Sequence, residues 1–295
     1  MRPSGFIVLK KRFPLRSMWA VLAVCAGLML SPTLSAAQEG NIARDLANPF
    51  SSLWSIVNQI NFNQLKGGLF KESHTQFNWN LQPVMPLPLN GLYNLINRPV
   101  FPYYKNPYLD SAGEIAYASG LGDIQLASLI VPNKTEGIIY GLGVTLIAPT
   151  AKDSVHIGQG LWQAGPTAGL FYVSKQFVAG VFPQHWHAVS GVDNEHPSTR
   201  LTNLQYAVSY LPTPELTIFT SNNILIDWTK DPENRWTVPV GIGVSYLFTF
   251  GKMPISIGIN YQTIVKHPAD LPHQESIVRL TFTPVIPSPF AKKEE

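Results

Sequence analysis

The sequence predicts an all-β chain: a transmembrane up-and-down antiparallel β-barrel of about twelve strands, preceded by a short N-terminal periplasmic or plug segment. Three observations carry this. Long segments alternate strictly between large apolar residues and small polar ones. The polar face of that alternation holds Asn, Gln, Ser, Thr and Gly where a water-facing sheet would carry Lys and Glu. The connections between segments alternate in length along the chain.

Composition sets the frame. Of 295 residues, 45% are hydrophobic and only 13% charged, which excludes a disordered chain and is a low charge content for a soluble globule. The formal charge of +3 misleads, because Arg2, Lys10, Lys11, Arg12 and Arg16 all precede the apolar run "MWAVLAVCAGLML" and the small-residue stretch "SPTLSAAQ". A basic start, a short apolar run and small residues read as a secretory signal peptide over 1–37, cleaved after Ala37. The alternative, an uncleaved anchor, calls for nearer to ~20 apolar residues. Without that segment the 21 basic and 18 acidic residues become 16 and 18. Nucleic acid as a partner is excluded on charge. Cys25, the single cysteine, falls inside the signal, so the exported chain has no thiol chemistry. "LAVC" matches a lipoprotein cleavage box only loosely, and lipidation is discounted.

Residues 38–56 form the N-terminal segment; within and just beyond it "LANPFSSLWSIVNQ" (46–59) reads either as a short helix closing the barrel mouth or entering its lumen, or as an ordered tail. The barrel is expected over 57–288, with a charged tail at 289–295. Candidate strands run over 57–65, 75–86, 92–103, 121–131, 137–148, 161–173, 177–187, 201–211, 215–228, 236–250, 253–264 and 276–286. In "WTVPVGIGVSYLFTF" one face carries Val240, Ile242, Val244 and Tyr246 and the other Gly241, Gly243 and Ser245. In "TQFNWNLQPVMP" Gln76, Asn78, Asn80 and Gln82 alternate with Phe77, Trp79 and Leu81. Amides suit a wet, crowded lumen, and the opposite face suits lipid. Connections near 70, 112, 155, 194, 232 and 270 are expected to be long and external, those at 87–91, 132–136, 174–176, 212–214 and 251–252 short and periplasmic. Pro83, Pro99, Pro166, Pro239 and Pro284 lie inside these strands; proline removes a ladder donor, so bulges or shifts are expected there.

The ordered series "DLANPFSSLWSIVNQINFN", "NWNLQPVMPLPLN", "YNLINRPVFPYY", "GLGDIQLASLIVP", "YGLGVTLIAPTA", "GQGLWQAGPTAGLF", "WTVPVGIGVSYLFTFGKMPISIGINYQ" and "RLTFTPVIP" resembles the MetA-pathway of phenol degradation family of outer-membrane proteins across nearly the whole exported chain. The resemblance implies one porin-like membrane barrel with a suggested link to uptake of aromatic compounds. It brings no catalytic residues with it.

The functional expectation is a channel in the bacterial outer membrane for facilitated diffusion of small solutes, aromatic or hydrophobic ones among them. It is expected to need no cofactor, no metal and no chemistry, with membrane lipid and the outer-membrane assembly machinery as its partners. Arg98, Asp123, Glu215, Asp227 and Arg279, with Asn78, Asn80 and Gln82, are the lumen candidates; His185, His187 and Arg235 are rim candidates. For the charges, structural ion pairing is the competing reading. His185 and His187 share a face at a spacing that suits a metal, with His156, Asp193 or His196 as third ligands; the simpler reading is two rim histidines with Trp186 opposite them in an aromatic girdle. Ser190 near His187 raises a membrane-edge lipid hydrolase, although no Gly-x-Ser-x-Gly surrounds any serine. A closed structural or adhesive barrel is the third reading. Lumen aromatics such as Phe171 would favour a flat solute.

Overall fold

The computed structural model describes residues 36–68, 70–269 and 273–290. Nearly all of the expected signal segment, and the tail beyond Phe290, lie outside the described residues. Helix α1 (Ala36–Ala47) comes first, followed by β1 (Ser55–Gly67), β2 (Phe70–Pro88), β3 (Tyr93–Leu109), β4 (Ile115–Leu121), β5 (Ile124–Pro132) and β6 (Gly137–Ala148). The second half comprises β7 (Trp162–Val173), β8 (Phe177–Ser190), β9 (Arg200–Tyr210), β10 (Leu216–Asp227), β11 (Trp236–Phe250), β12 (Met253–Lys266) and β13 (His273–Pro284).

All thirteen strands form one antiparallel sheet, and each pairs with its chain neighbour apart from the break at β4. β4 pairs with the outer part of β3, from Tyr103 to Leu109, and β5 with its inner part, from Tyr93 to Val100. The two are thus one stave interrupted at Gly122–Asp123. β13 returns to β1, with Arg279 opposite Asn61, so twelve staves close into a barrel. Closure pairs both edges of every strand except β4, whose one strand partner among the described residues is β3; paired edges are what lipid cannot supply.

Parity decides the two faces. Val240, Ile242, Val244 and Tyr246 of β11 are exposed on the outside, as are Ile257, Ile259 and Tyr261 of β12. Around the short-turn end the same face carries Tyr140, Tyr172, Phe177, Tyr210 and Phe250, with Phe177 stacked on Tyr210 at 4.9 Å. An apolar band edged by aromatics is the outer surface of a membrane-spanning barrel. The inner face holds amides and hydroxyls: Asn61, Asn63, Asn78, Thr145, Gln163 and Gln262 are all buried.

The in-strand prolines mark irregular pairing. The β2–β3 ladder is interrupted between Leu81 and Met85, around Pro83 and Pro99, and resumes in the same register. β10 and β11 part between Phe219 and Leu225, opposite Pro239. There the side-chain amide of Asn222, fully buried, lies 3.0 Å from the Tyr206 hydroxyl, and that hydroxyl lies 2.8 Å from the Pro239 carbonyl. Side chains replace the ladder bonds that the backbone cannot make.

Three expectations are corrected. The external connections near 70 and 112 are tight turns, because β1 to β4 extend farther than the alternation indicates and reverse at Gly67 (φ 81°), Gly68 (φ 59°) and Gly113 (φ 78°). Left-handed backbone there suits glycine. The fourth strand, expected whole over 121–131, is split. The helix spans Ala36–Ala47, earlier than 46–59, and the stretch after it neither forms a helix nor hangs as a tail. It turns at Asn48 and enters the lumen.

Candidate functional site

The lumen is built from the cross-strand pairing of β1, β2 and β3. Asn61 lies opposite Asn78, Asn63 opposite Gln76, and Gln59 opposite Asn80. Inward-facing amides then meet one another: Asn61 Nδ2 donates to Asn78 Oδ1 at 2.9 Å, Asn80 Nδ2 to the same oxygen at 2.9 Å, Asn63 Nδ2 to Gln76 Oε1 at 2.8 Å, and Gln82 Nε2 to Gln59 Oε1 at 2.9 Å. On the opposite face Phe62 meets Phe77 edge-on at 5.7 Å. The wall is therefore an amide lattice in which Asn61, Gln76, Asn78 and Asn80 each both donate and accept.

Two chambers lie inside the barrel among the described residues. The outer, toward the long loops, has a volume of about 300 Å³ and is bordered by Asn78, Asn80, Gln82, Tyr104, Gln184 and Asn203 among others. The inner, of about 180 Å³, lies toward the short turns and is bordered by Ala43, Asp45, Asn48, Glu215 and Thr217. Gln59, Arg98, Gln205 and Arg279 border both. These four residues are the waist of the lumen.

The N-terminal segment lines the inner chamber. Ala43 packs with Leu211 and Leu247, and Ile42 and Leu46 lie against them. Arg44, 5% exposed, reaches the short turn between β5 and β6, where Nη1 meets Glu136 Oε1 at 2.6 Å. Asn94 Nδ2 donates to Ser52 Oγ at 2.8 Å, and Trp54 Nε1 donates to the Pro86 carbonyl at 3.0 Å. Phe50 is the anchor: 2% exposed, it meets Phe171 and Phe182 edge-on at 5.3 and 5.5 Å. A Cβ at Gly169 would lie 2.1 Å from its ring, so the absent side chain of Gly169 makes the notch that holds Phe50.

The candidates read from sequence separate into groups. Arg98 and Arg279 reach the waist; Asn78, Asn80 and Gln82 line the outer chamber and Glu215 the inner one. Asp123 borders neither chamber. It sits at the break between β4 and β5 and accepts the backbone N–H of Ala151 at 3.0 Å and of Gln159 at 2.7 Å, pinning the loop after β6. Asp227 turns back on its own loop, accepting from the Thr229 hydroxyl at 2.6 Å. Arg235 lies over the Trp228 ring at 5.4 Å and donates to the Lys230 carbonyl, at the rim.

Trp186 is corrected. It is 4% exposed and donates to Thr145 Oγ1 on the inner face at 2.9 Å, so it is part of the lumen wall and not of a lipid girdle. The parity that puts Phe182 and Gln184 inward places His185 and His187 outward. His185 Nδ1 lies 2.8 Å from Thr202 Oγ1, which also accepts from Trp228 Nε1 at 2.8 Å. His156 and His196 are drawn elsewhere, and among the described residues no three His, Cys, Asp or Glu side chains form a metal-holding group. Ser190 lies opposite Trp162 and His187 opposite Ala164; no hydrogen bond joins the two among the described residues.

The two histidine loops share one local design, Asp-x-x-His. Asp153 Oδ1 accepts the N–H of Val155 and of His156, and Asp193 Oδ1 accepts those of Glu195 and of His196. His196 Nε2 then lies 3.1 Å from Ser154 Oγ, latching one loop to the other. These N–H bonds, led by those from His156 and His196, hold both carboxyls below the ordinary carboxylate value. A depressed folded-state value gives order that is present above the unfolded value and lost as pH falls through the folded one. Amide protection over 153–160 and 193–199, taken as exchange relative to the intrinsic rate at each pH, should therefore be unchanged from pH 8 to 6 and fall below about pH 4, while protection of β7 and β8 stays constant. Protection lost already between pH 7 and 6 would show that the two carboxylates do not hold the loops.

No family model matches the chain, and no curated protein matches it. Solved structures do. An outer membrane channel from Pseudomonas putida F1 aligns with a TM-score of 0.57 at 15% identity, over 79% of this chain and 94% of that one. The NanC porin aligns with a TM-score of 0.47 at 10% identity, over 79% and 99%. The outer membrane phospholipase dimer from Salmonella typhi, with bound calcium, aligns with a TM-score of 0.43 at 11% identity, over 87% and 99%. The first alignment shows a shared fold. This chain has the fold of an outer-membrane β-barrel.

The waist glutamines, Gln59 and Gln205, were missed in the sequence, as was the anchoring role of Phe50. "NQINFN" (58–63) has the same alternation as the stretch that drew attention to β2, and Gln205 lies on the polar face of "LTNLQYAVSY". The signal was present for both glutamines. Phe50 carried none, since its partner is the missing side chain of Gly169.

Proposed function

We propose that the chain is an outer-membrane channel that passes small solutes by facilitated diffusion, with its N-terminal segment as a gate at the short-turn end. The supporting observation is the two-chambered lumen itself: a polar path through an apolar-coated barrel, with four side chains bordering both chambers and the N-terminal segment lining the inner one. The likeness to a channel fold and the family resemblance agree with it. Amide walls suit hydrated or hydrogen-bonding solutes, and the resemblance extends the class to phenols. The hydrolase reading has no constellation to support it, and an adhesive barrel would not need a graded lumen.

Purified protein in planar bilayers tests this. The expected record is small, brief conductance steps from the closed-biased wild type, reduced in amplitude when phenol is added. Bilayers that stay silent, for the wild type and for a variant with its segment released, would remove the transport reading and leave the adhesive one.

A further inference from the structure

We propose that the waist is a binding site for a small organic carboxylate held between Arg98 and Arg279. The inference rests on reading the lumen as a solute path, and names the solute's charge and shape.

A solute crossing from one chamber to the other passes the only four residues that border both among those described, and two of them are arginines. Among the described residues neither guanidinium has a carboxylate partner. Arg98 lies 5.7 Å above the Phe182 ring, and its Nη1 is buried with no hydrogen-bond partner. Arg279 uses Nε to donate to Asn61 Oδ1 at 2.7 Å; among the described residues its Nη groups make no side-chain hydrogen bond. No Asp or Glu borders the outer chamber. The inner chamber's acids are engaged: Asp45 with Arg44 at 3.3 Å, and Glu215 with the Thr213 hydroxyl at 2.8 Å.

Two guanidinium groups bordering one confined space, with no carboxylate in salt-bridge contact among the described residues, form an anion site, since a buried charge needs a partner; Glu215 also borders the inner chamber and is held by the Thr213 hydroxyl. The planar fork of arginine matches a carboxylate bidentately. The rest of the ligand is set by the outer chamber, where Val100, Ala127 and Ile264 interrupt the amides. A carboxylate with a compact apolar body uses both features, and a bare inorganic anion uses one.

Equilibrium dialysis of the full chain in detergent micelles against labelled acetate, benzoate and benzamide separates these contributions. A hydrogen bond to a charged group is worth about 1.5–3 kcal/mol, so benzoate should bind at least about tenfold more tightly than neutral benzamide. The apolar body should give benzoate a similar advantage over acetate. Arg98→Gln and Arg279→Gln should each weaken benzoate, and the double variant should bind benzoate and benzamide alike. Equal binding of benzoate and benzamide to the wild type, or an undiminished preference in the double variant, would overturn the site. Acetate binding as tightly as benzoate would reduce it to a bare anion site and overturn the proposal as stated. Dialysis does not require conduction. A silent protein that binds benzoate would sink the transport reading alone, and a conducting one without the preference would sink only this site.

Discussion

Phe50→Ala is expected to convert a mostly closed barrel into one that opens frequently. The ring is buried between Phe171 and Phe182, and its edge fits the notch at Gly169. Truncating a buried phenylalanine costs about 3–5 kcal/mol. Here the cost falls on the seating of the segment, because the barrel ladder does not include residue 50. Three kcal/mol is roughly a hundredfold in the ratio of released to seated segment. Of the remaining ties, Arg44 to Glu136, Asn94 to Ser52 and Trp54 to the Pro86 carbonyl are polar contacts that water can replace, and the packing of Ala43, Ile42 and Leu46 with Leu211 and Leu247 is the apolar tie that stays. In planar bilayers the variant should show long, large openings where the wild type shows brief ones. Heat-modifiable gel mobility would confirm that the barrel itself is folded. A second variant reaches the same contact from the wall: Gly169→Leu fills the notch and should release the segment with Phe50 intact. Wild-type opening in both variants would separate the segment from gating.

How much of this was legible in the sequence depends on the range of the interaction concerned. Alternation is local, so β6 and β11 matched the expected 137–148 and 236–250 in full. The amide face of β2 is likewise a property of consecutive residues. Asp123 was misread because its parity is inward, and what removes it from the lumen is a loop whose backbone donors come from residues 151 and 159. Trp186 was misread because "QHWH" offers two polar rings and one apolar one. Lipid seemed to call for the tryptophan, but the register with β7 and the hydroxyl of Thr145 call it inward. The seat of Phe50 is the extreme case: it depends on residues 169, 171 and 182, more than a hundred positions away.

Reversing the charge at the waist should reverse the ion selectivity of the open pore. Arg98 and Arg279 are the cations shared by both chambers, and the outer chamber holds no acid to offset them. At an effective dielectric constant of about 20, a unit charge at ~6 Å acts on a passing ion with roughly 3 kcal/mol, far above thermal energy. Confinement in an amide wall preserves this against the screening of bulk salt. A ring of arginines passes anions and opposes cations, so reversal potentials in a potassium chloride gradient should show anion preference in the gate-released Phe50→Ala background. Arg98→Glu with Arg279→Glu in that background changes the waist from two positive charges to two negative ones, and the reversal potential should change sign. Arg98→Gln with Arg279→Gln removes charge while keeping amide donors for partners such as Asn61, and should fall between the two, which separates charge from loss of packing. The ordering matters more than any one value. If all three proteins gave reversal potentials of the same sign and size, the waist would not be the point where permeant ions are selected, and the charges near the inner mouth, Asp45 and Glu215, would be the next to reverse.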